Sequence, residues 1–169
     1  MGQYVLSEEL HDEMLSLQLR SNLIIFSHES ALFLNKISER TPFEHAVTIP
    51  SSKTLSRSIS SECKIYYIKD DLHELGKTQL PTTMGSLVWT YDMERTICDI
   101  IRSRNRIADE TFLSSIKQYA SSSHKNLANL SLYASKMGVL SQVRSYMEVL
   151  LWVCLLYTSD AADEARSVD

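Results

Sequence analysis

Ser27-His28-Glu29 sets a hydroxyl, an imidazole and a carboxylate side by side. These are the residue types of a nucleophile, base and acid relay. Such a relay is assembled across a fold, and neighbours in sequence are expected to face apart. His28, at a strand-to-helix junction, fits a capping or hydrogen-bonding role better. Glu62-Cys63-Lys64 has the ExK spacing of metal-dependent nucleases, in which the Glu and an upstream Asp hold the metal and the Lys steadies developing charge. No acid lies between Glu44 and Glu62, so the upstream ligand is missing. Asp92 and Glu94 form another carboxylate pair. Two residues apart on a helix, they point to different sides and suit acids favoured by the dipole at a helix start.

The five histidines, His11, His28, His45, His73 and His124, include no i, i+4 pair with the glutamate of a zinc protease. Cys63, Cys98 and Cys154 form no CxxC and no zinc-spaced group with histidine, so no metal or cofactor is expected and the thiols read as reduced, in a cytoplasmic chain. Gly2, Gly76, Gly85 and Gly138 lie too far apart to build a phosphate-cradling loop. Arg102, Arg104 and Arg106 cluster near the end of a predicted helix, with Lys117 and Lys125 beyond. Two readings stand: cations favoured by a helix C-terminus and by exposure, or contacts to nucleic-acid phosphates.

The elements that would position these groups follow from periodicity. Gln3–Leu6 reads as a short extended piece. Ser7 is a good N-cap, and Leu10, Met14 and Leu17 give an amphipathic helix over 8–20. Leu23–Phe26 reads as a buried strand, and Ser27–Ile37 as a short helix ended by Thr41-Pro42. Ala46–Ile49 and Lys64–Lys69 are rich in β-formers, with a Ser-rich loop, Ser51–Ser61, between them. Thr78–Leu80 and Leu87–Tyr91 predict a hairpin. Helix periodicity then takes over. Met93, Ile97, Ile100 and Ile101 form one stripe, and Asp109 caps a second helix with Phe112, Ile116 and Tyr119. Leu127–Met137 is stopped by Gly138, and a fourth helix starts at Ser141. The fold class is α+β: a small mixed sheet followed by a C-terminal run of helices.

Charge is uneven. The chain carries −4 overall, yet residues 92–151 hold eight Lys and Arg against six Asp and Glu. Bulk charge therefore excludes a chain that coats nucleic acid, while a local phosphate contact stays open. The N-terminus has no apolar signal core, Leu6 stands where a myristoylation motif needs Ser or Thr, and the longest apolar run is far short of the roughly 20 residues of a span, so no membrane partner is expected. From Trp152 onward the periodicity is lost. The stretch CLLYTSDAADE resembles a tail found on unrelated sequences when sequencing-adapter DNA is translated, and residues 152–169 are expected to be non-native.

Several segments, taken together and in order, are similar to the AbiEi-family antitoxins of bacterial phage-defence (abortive infection) systems. They are GQYVLSEELHDEM, LQLR, IFSHESALFLNKISERTPFEHAVTIP, YDMERTICDIIRSRNRI and VRSYMEVLL. The most specific residues are Ser27, His28, Arg40, Thr41, Pro42, Tyr91, Asp92, Glu94, Arg95, Thr96 and Asp99. The resemblance implies a winged helix-turn-helix domain followed by an antitoxin domain. It also implies repression of the protein's own operon, and counteraction of a nucleotidyltransferase-like toxin in the type IV manner, without a stable complex. On this reading residues 1–6 are a remnant wing strand and 7–151 the antitoxin domain. The partners are operator DNA, through Arg102, Arg104, Arg106 and Lys117, and the toxin. No enzyme activity and no small-molecule substrate are implied, and the signature residues act structurally. The alternative, from the residues alone, is a nuclease-like or degenerate nuclease fold around Glu62 and Lys64.

Truncation after Leu151 tests the reading of the tail. Removing 152–169 is expected to leave stability within about 1 kcal/mol, the scale of surface changes. A large fall in melting temperature would make the tail a structural element.

Overall fold

A computed structural model describes residues 12–151. The expected strand at Gln3–Leu6, the Ser7 cap and the tail from Trp152 lie outside the described residues. The first described helix, α1, is Glu13–Arg20, capped by Asp12, whose carboxylate accepts from the Leu15 N–H at 3.2 Å. Of the helix expected over 8–20, residues 8–11 lie outside the described residues, and Asp12, with an extended backbone, is the N-cap of the part described. Met14 and Leu17, three apart on one face, are buried.

Strand β1 is Ile25–Phe26, and Ser27 precedes helix α2, His28–Leu34. Helix α2 ends earlier than the Thr41-Pro42 signal predicts. Lys36 takes a left-handed φ of 62°, the Ile37 N–H returns to the Leu32 carbonyl at 2.9 Å, and the Lys36 N–H to Phe33 at 3.1 Å. This is a Schellman termination in which a lysine occupies the place usually given to glycine, with Ile37 and Leu32 packed in one core.

Strands β2 (His45–Pro50), β3 (Cys63–Ile68), β4 (Lys77–Pro81) and β5 (Leu87–Tyr91) complete a mixed sheet of order β3-β2-β1-β5-β4. β2 and β3 are parallel, joined through a single helical turn, α3 (Arg57–Ser60), where a loop was expected. β1 pairs antiparallel with β2 and parallel with β5, and β4 and β5 form the predicted hairpin. The shortest strand therefore sits at the centre, with both residues buried.

Helix α4 (Met93–Arg102) is capped by Asp92, which accepts from the Arg95 N–H at 2.9 Å. Helix α5 is Asp109–Ser121. Its N-cap is Ala108, with no side-chain bond, and Asp109, the expected cap, is its first residue. Helix α6 (Leu127–Met137) is capped by Asn126 and stopped by Gly138 at φ 74°. Helix α7 spans 140–151. The chain is α+β, a mixed sheet followed by helices. No helix among the described residues is long and apolar enough to cross a membrane.

Two apolar clusters hold these layers. One joins Met14 and Leu17 of α1 to Phe26, Val47, Cys63 and Val88 of the sheet. The other joins Leu32 and Ile37 to Ile97, Ile100, Phe112, Ile116, Leu130, Ala134 and Met147 of the helices. Each fully buried large side chain contributes about 1.5–3 kcal/mol. Linking the sheet to α2 and α4 is a set of buried polar side chains: Ser27, His28, Ser30, Thr48, Thr90, Arg95, Thr96 and Asp99. Strand β3 shows the alternation that places them, since Cys63 and Ile65 join the α1 cluster while Lys64 and Tyr66 take the other face.

Gly76 sits beside this polar set at φ 77°, and a Cβ there would lie 2.7 Å from the Arg95 Cβ. Gly138 has a similar φ but open space around it. Gly76→Ala is expected to destabilise by about 2–4 kcal/mol and Gly138→Ala by about 1–2 kcal/mol, measured by urea denaturation. Equal losses would mean that Arg95 yields without cost.

Candidate functional site

The signature around Tyr91 converges on one guanidinium. Arg95 is fully buried, and its Nε donates to Asp99 Oδ1 at 3.2 Å, one turn further along α4. Its Nη1 donates to the Leu72 and Leu75 carbonyls at 2.7 and 2.6 Å, and its plane lies 4.0 Å from the Tyr91 ring. The Tyr91 hydroxyl donates to the His73 carbonyl at 2.7 Å, so the segment leading to Gly76 is held from two sides. Asp92 accepts from the Tyr133 hydroxyl on α6 at 2.9 Å, and Thr96 donates to the Asp92 carbonyl. Glu94 accepts from Tyr119 Oη at 2.7 Å and from the Asn126 N–H at 3.0 Å, tying α4 to the ends of α5 and α6. Burial raises the Asp99 carboxyl above its ordinary range, against the pull of Arg95. Asp92 and Glu94 do not converge, as their spacing predicts.

The polar set continues past Asp99 to Ser103 and across to α2. Ser27 and His28 do face each other, contrary to expectation. His28 holds φ 51°, and this left-handed turn brings its Nδ1 to 2.8 Å from Ser27 Oγ. Thr48 donates to Ser27 Oγ at 2.7 Å, and His28 Nε2 is hydrogen-bonded to Ser103 Oγ at 2.9 Å. The imidazole stacks on Tyr66 at 3.5 Å between centroids, and Arg106 covers Tyr66 at 4.0 Å. Burial, with Arg95 and Lys64 nearby, holds the His28 pKa well below its usual value. Ser27 and His28 are both buried, which suits a structural relay.

The cations expected together are parted. Arg102 and Arg106 share a concavity of about 320 Å³ with Tyr66, Tyr67, Ser103 and Asn105. Arg104 turns away, to Asp109 at 2.7 Å and over Phe112 at 4.2 Å. Lys117 is exposed on α5 and outside that concavity, and Lys125 donates to the Ser122 carbonyl. The ExK pair is parted as well. Glu62 accepts from Arg20 Nη1 at 3.1 Å, while Lys64 binds Glu29 at 3.2 Å and the Arg106 carbonyl at 2.7 Å. Among the described residues no group of His, Cys, Asp and Glu could hold a metal ion. Thr41 and Pro42 line a cleft of about 440 Å³ with Glu29, Arg40, Phe43 and Lys64.

Sequence reasoning missed Thr48, Tyr66, Tyr67 and Ser103. The adjacent tyrosines in a strand were the available signal, because one of two neighbours in an edge strand must face outward. No protein-family model matches the chain, and comparison with curated proteins finds no similar sequence.

The buried neutral imidazole sets a pH dependence. Below about pH 6.5 the unfolded chain takes up a proton at His28 that the folded chain refuses, so stability falls as pH falls, by up to about 1.4 kcal/mol per pH unit. His73, lowered by its own burial, adds in the same direction. His28→Asn, which tolerates the left-handed backbone, is expected to flatten this limb between pH 7.5 and 5 in urea titrations. An unchanged slope would show that His28 is protonated in the fold.

Proposed function

We propose that this chain is the antitoxin domain of an AbiEi-type phage-defence system. It acts in the bacterial cytoplasm and counteracts a nucleotidyltransferase-like toxin without catalysis of its own. The observation that carries the reading is that residues of the resemblance dispersed over the chain meet in one framework. Tyr91 and Asp99 flank the Arg95 guanidinium, Asp92 caps the same helix at the Arg95 N–H, and His28, beside Ser27, meets that helix's end at Ser103. The ExK alternative is weakened because Glu62 and Lys64 engage different partners.

In the full-length repressor a winged helix would read the operator bases, and Arg102 and Arg106 would touch flanking phosphates. This chain alone would then bind duplex DNA without sequence preference. Its affinity would be on the order of 10⁻⁴–10⁻⁶ M and would weaken as salt rises.

Co-expression with the nucleotidyltransferase encoded beside its gene is the test, with growth as the readout. At least partial rescue is expected. Arg95→Ala is expected to remove about 3–5 kcal/mol of stability, because it leaves Asp99 buried and unpaired, and to lower rescue in step. A folded wild-type chain that gives no rescue would overturn the reading. A variant that stays folded yet loses rescue would give Arg95 a direct functional role.

A further inference from the structure

The concavity between edge strand β3 and the end of α4 is built to hold an anion. Its wall contains two guanidinium groups, Arg102 and Arg106, and no carboxylate. Arg102 is exposed and makes no hydrogen bond or ion pair among the described residues. Arg106 uses Nη1 on the Ile65 carbonyl at 3.1 Å, and its other N–H groups make no hydrogen bond among the described residues. Arg104, between them in sequence, is instead neutralised by Asp109.

The wall is also packed from behind. Arg106 rests on Tyr66, Tyr66 on His28, and His28 is tied at both ring nitrogens. Thr48, Ser27, His28 and Ser103 form one chain of hydrogen bonds, which fixes the Ser103 hydroxyl at the edge of the concavity. Tyr66 is only 3% exposed, so its ring serves as the floor on which Arg106 rests. Tyr67, next to it, is 48% exposed and offers an unused aromatic face.

Guanidinium pairs match phosphate oxygens bidentately, and an exposed tyrosine is a stacking platform for any base. A volume of about 320 Å³ stands at the small end of ligand pockets and fits one nucleotide unit. We propose that this concavity binds one unpaired nucleotide as ligand, with its phosphate on Arg102 and Arg106 and its base on Tyr67. The nucleotide is supplied either free or as the single-stranded end of a nucleic acid. The inference shares Arg102 and Arg106 with the duplex-phosphate contacts proposed above and differs from them in requiring that an unpaired nucleotide bind more tightly than the duplex, so failure of the duplex or growth tests leaves it standing.

The test is titration of the full chain with adenosine and guanosine monophosphates, inorganic phosphate, a 5′-phosphorylated single-stranded oligonucleotide and a blunt duplex. Saturable binding of the mononucleotides, or of the oligonucleotide alone, at concentrations below about 1 mM is expected, and the two arms separate a free from a strand-borne source. Arg102→Gln, at an exposed position, is expected to weaken binding about tenfold or more without changing the melting temperature, and Lys136→Gln to leave it unchanged. Tyr67→Ala is expected to weaken the base-bearing ligands and spare inorganic phosphate. Arg106→Gln is expected to follow Arg102→Gln and also to lower stability. The proposal is overturned if no ligand saturates, if inorganic phosphate binds as well as the nucleotides, or if the blunt duplex binds as tightly as the single strand.

Discussion

The buried pair of Arg95 and Asp99 is the constraint around which the rest is arranged. A guanidinium without solvent needs its charge balanced and its donors placed, and removing it from water costs several kcal/mol before any partner is counted. Asp99 balances the charge from the same helix, and the Leu72 and Leu75 carbonyls take two hydrogen bonds from Nη1. Those carbonyls belong to the segment between β3 and β4, so satisfying Arg95 determines where that segment runs. Gly76 follows at the point where the chain passes against the Arg95 stem, and no side chain fits there. Such a pair adds little net stability over a well-packed apolar core, but it penalises every arrangement that leaves it incomplete.

The same face of α4 extends the polar set to Ser103, one turn beyond Asp99. From there the hydrogen bonds pass to His28, Ser27 and Thr48, and the stack passes to Tyr66 and Arg106. His28 is in the left-handed region, which a β-carbon disfavours by about 1–2 kcal/mol. The surrounding bonds compensate for that strain, and strain held in this way belongs to segments whose geometry is over-determined. The interior thus sets the outer surface. Arg106 stands over Tyr66, whose ring is stacked on His28 beneath it.

Much of the fold is legible in the local sequence, because local physics decides it. Asp92 caps α4, Gly138 stops α6, and Leu87–Tyr91 pairs in a hairpin, each through interactions spanning a few residues. The mixed sheet followed by helices follows from the order in which period two gives way to period 3.6. The sequence reading places Arg95 as pairing between helix and sheet, and the structure gives it Asp99 on its own helix and the Leu72 and Leu75 carbonyls beyond it.

Only the tertiary structure decided which neighbours meet. Helix α2 stops at Leu34 because Ile37 and Leu32 share a core, which lets Lys36 take a glycine-like turn. Asp109 loses the cap of α5 to Ala108, and its carboxylate pairs with Arg104 instead, taking that arginine from the cluster its spacing suggested. Ser27 and His28 face each other through one positive φ, a conformation histidine adopts only in a small minority of cases and that its packing selects here. Glu62 and Lys64 part because Arg20 and Glu29 arrive from different helices. Composition and periodicity determine elements because hydrogen bonding within an element and the burial of one face are short-ranged. The partners of a charged side chain are determined by which distant surfaces the completed packing brings within about 3 Å, and no pattern along the chain encodes that distance.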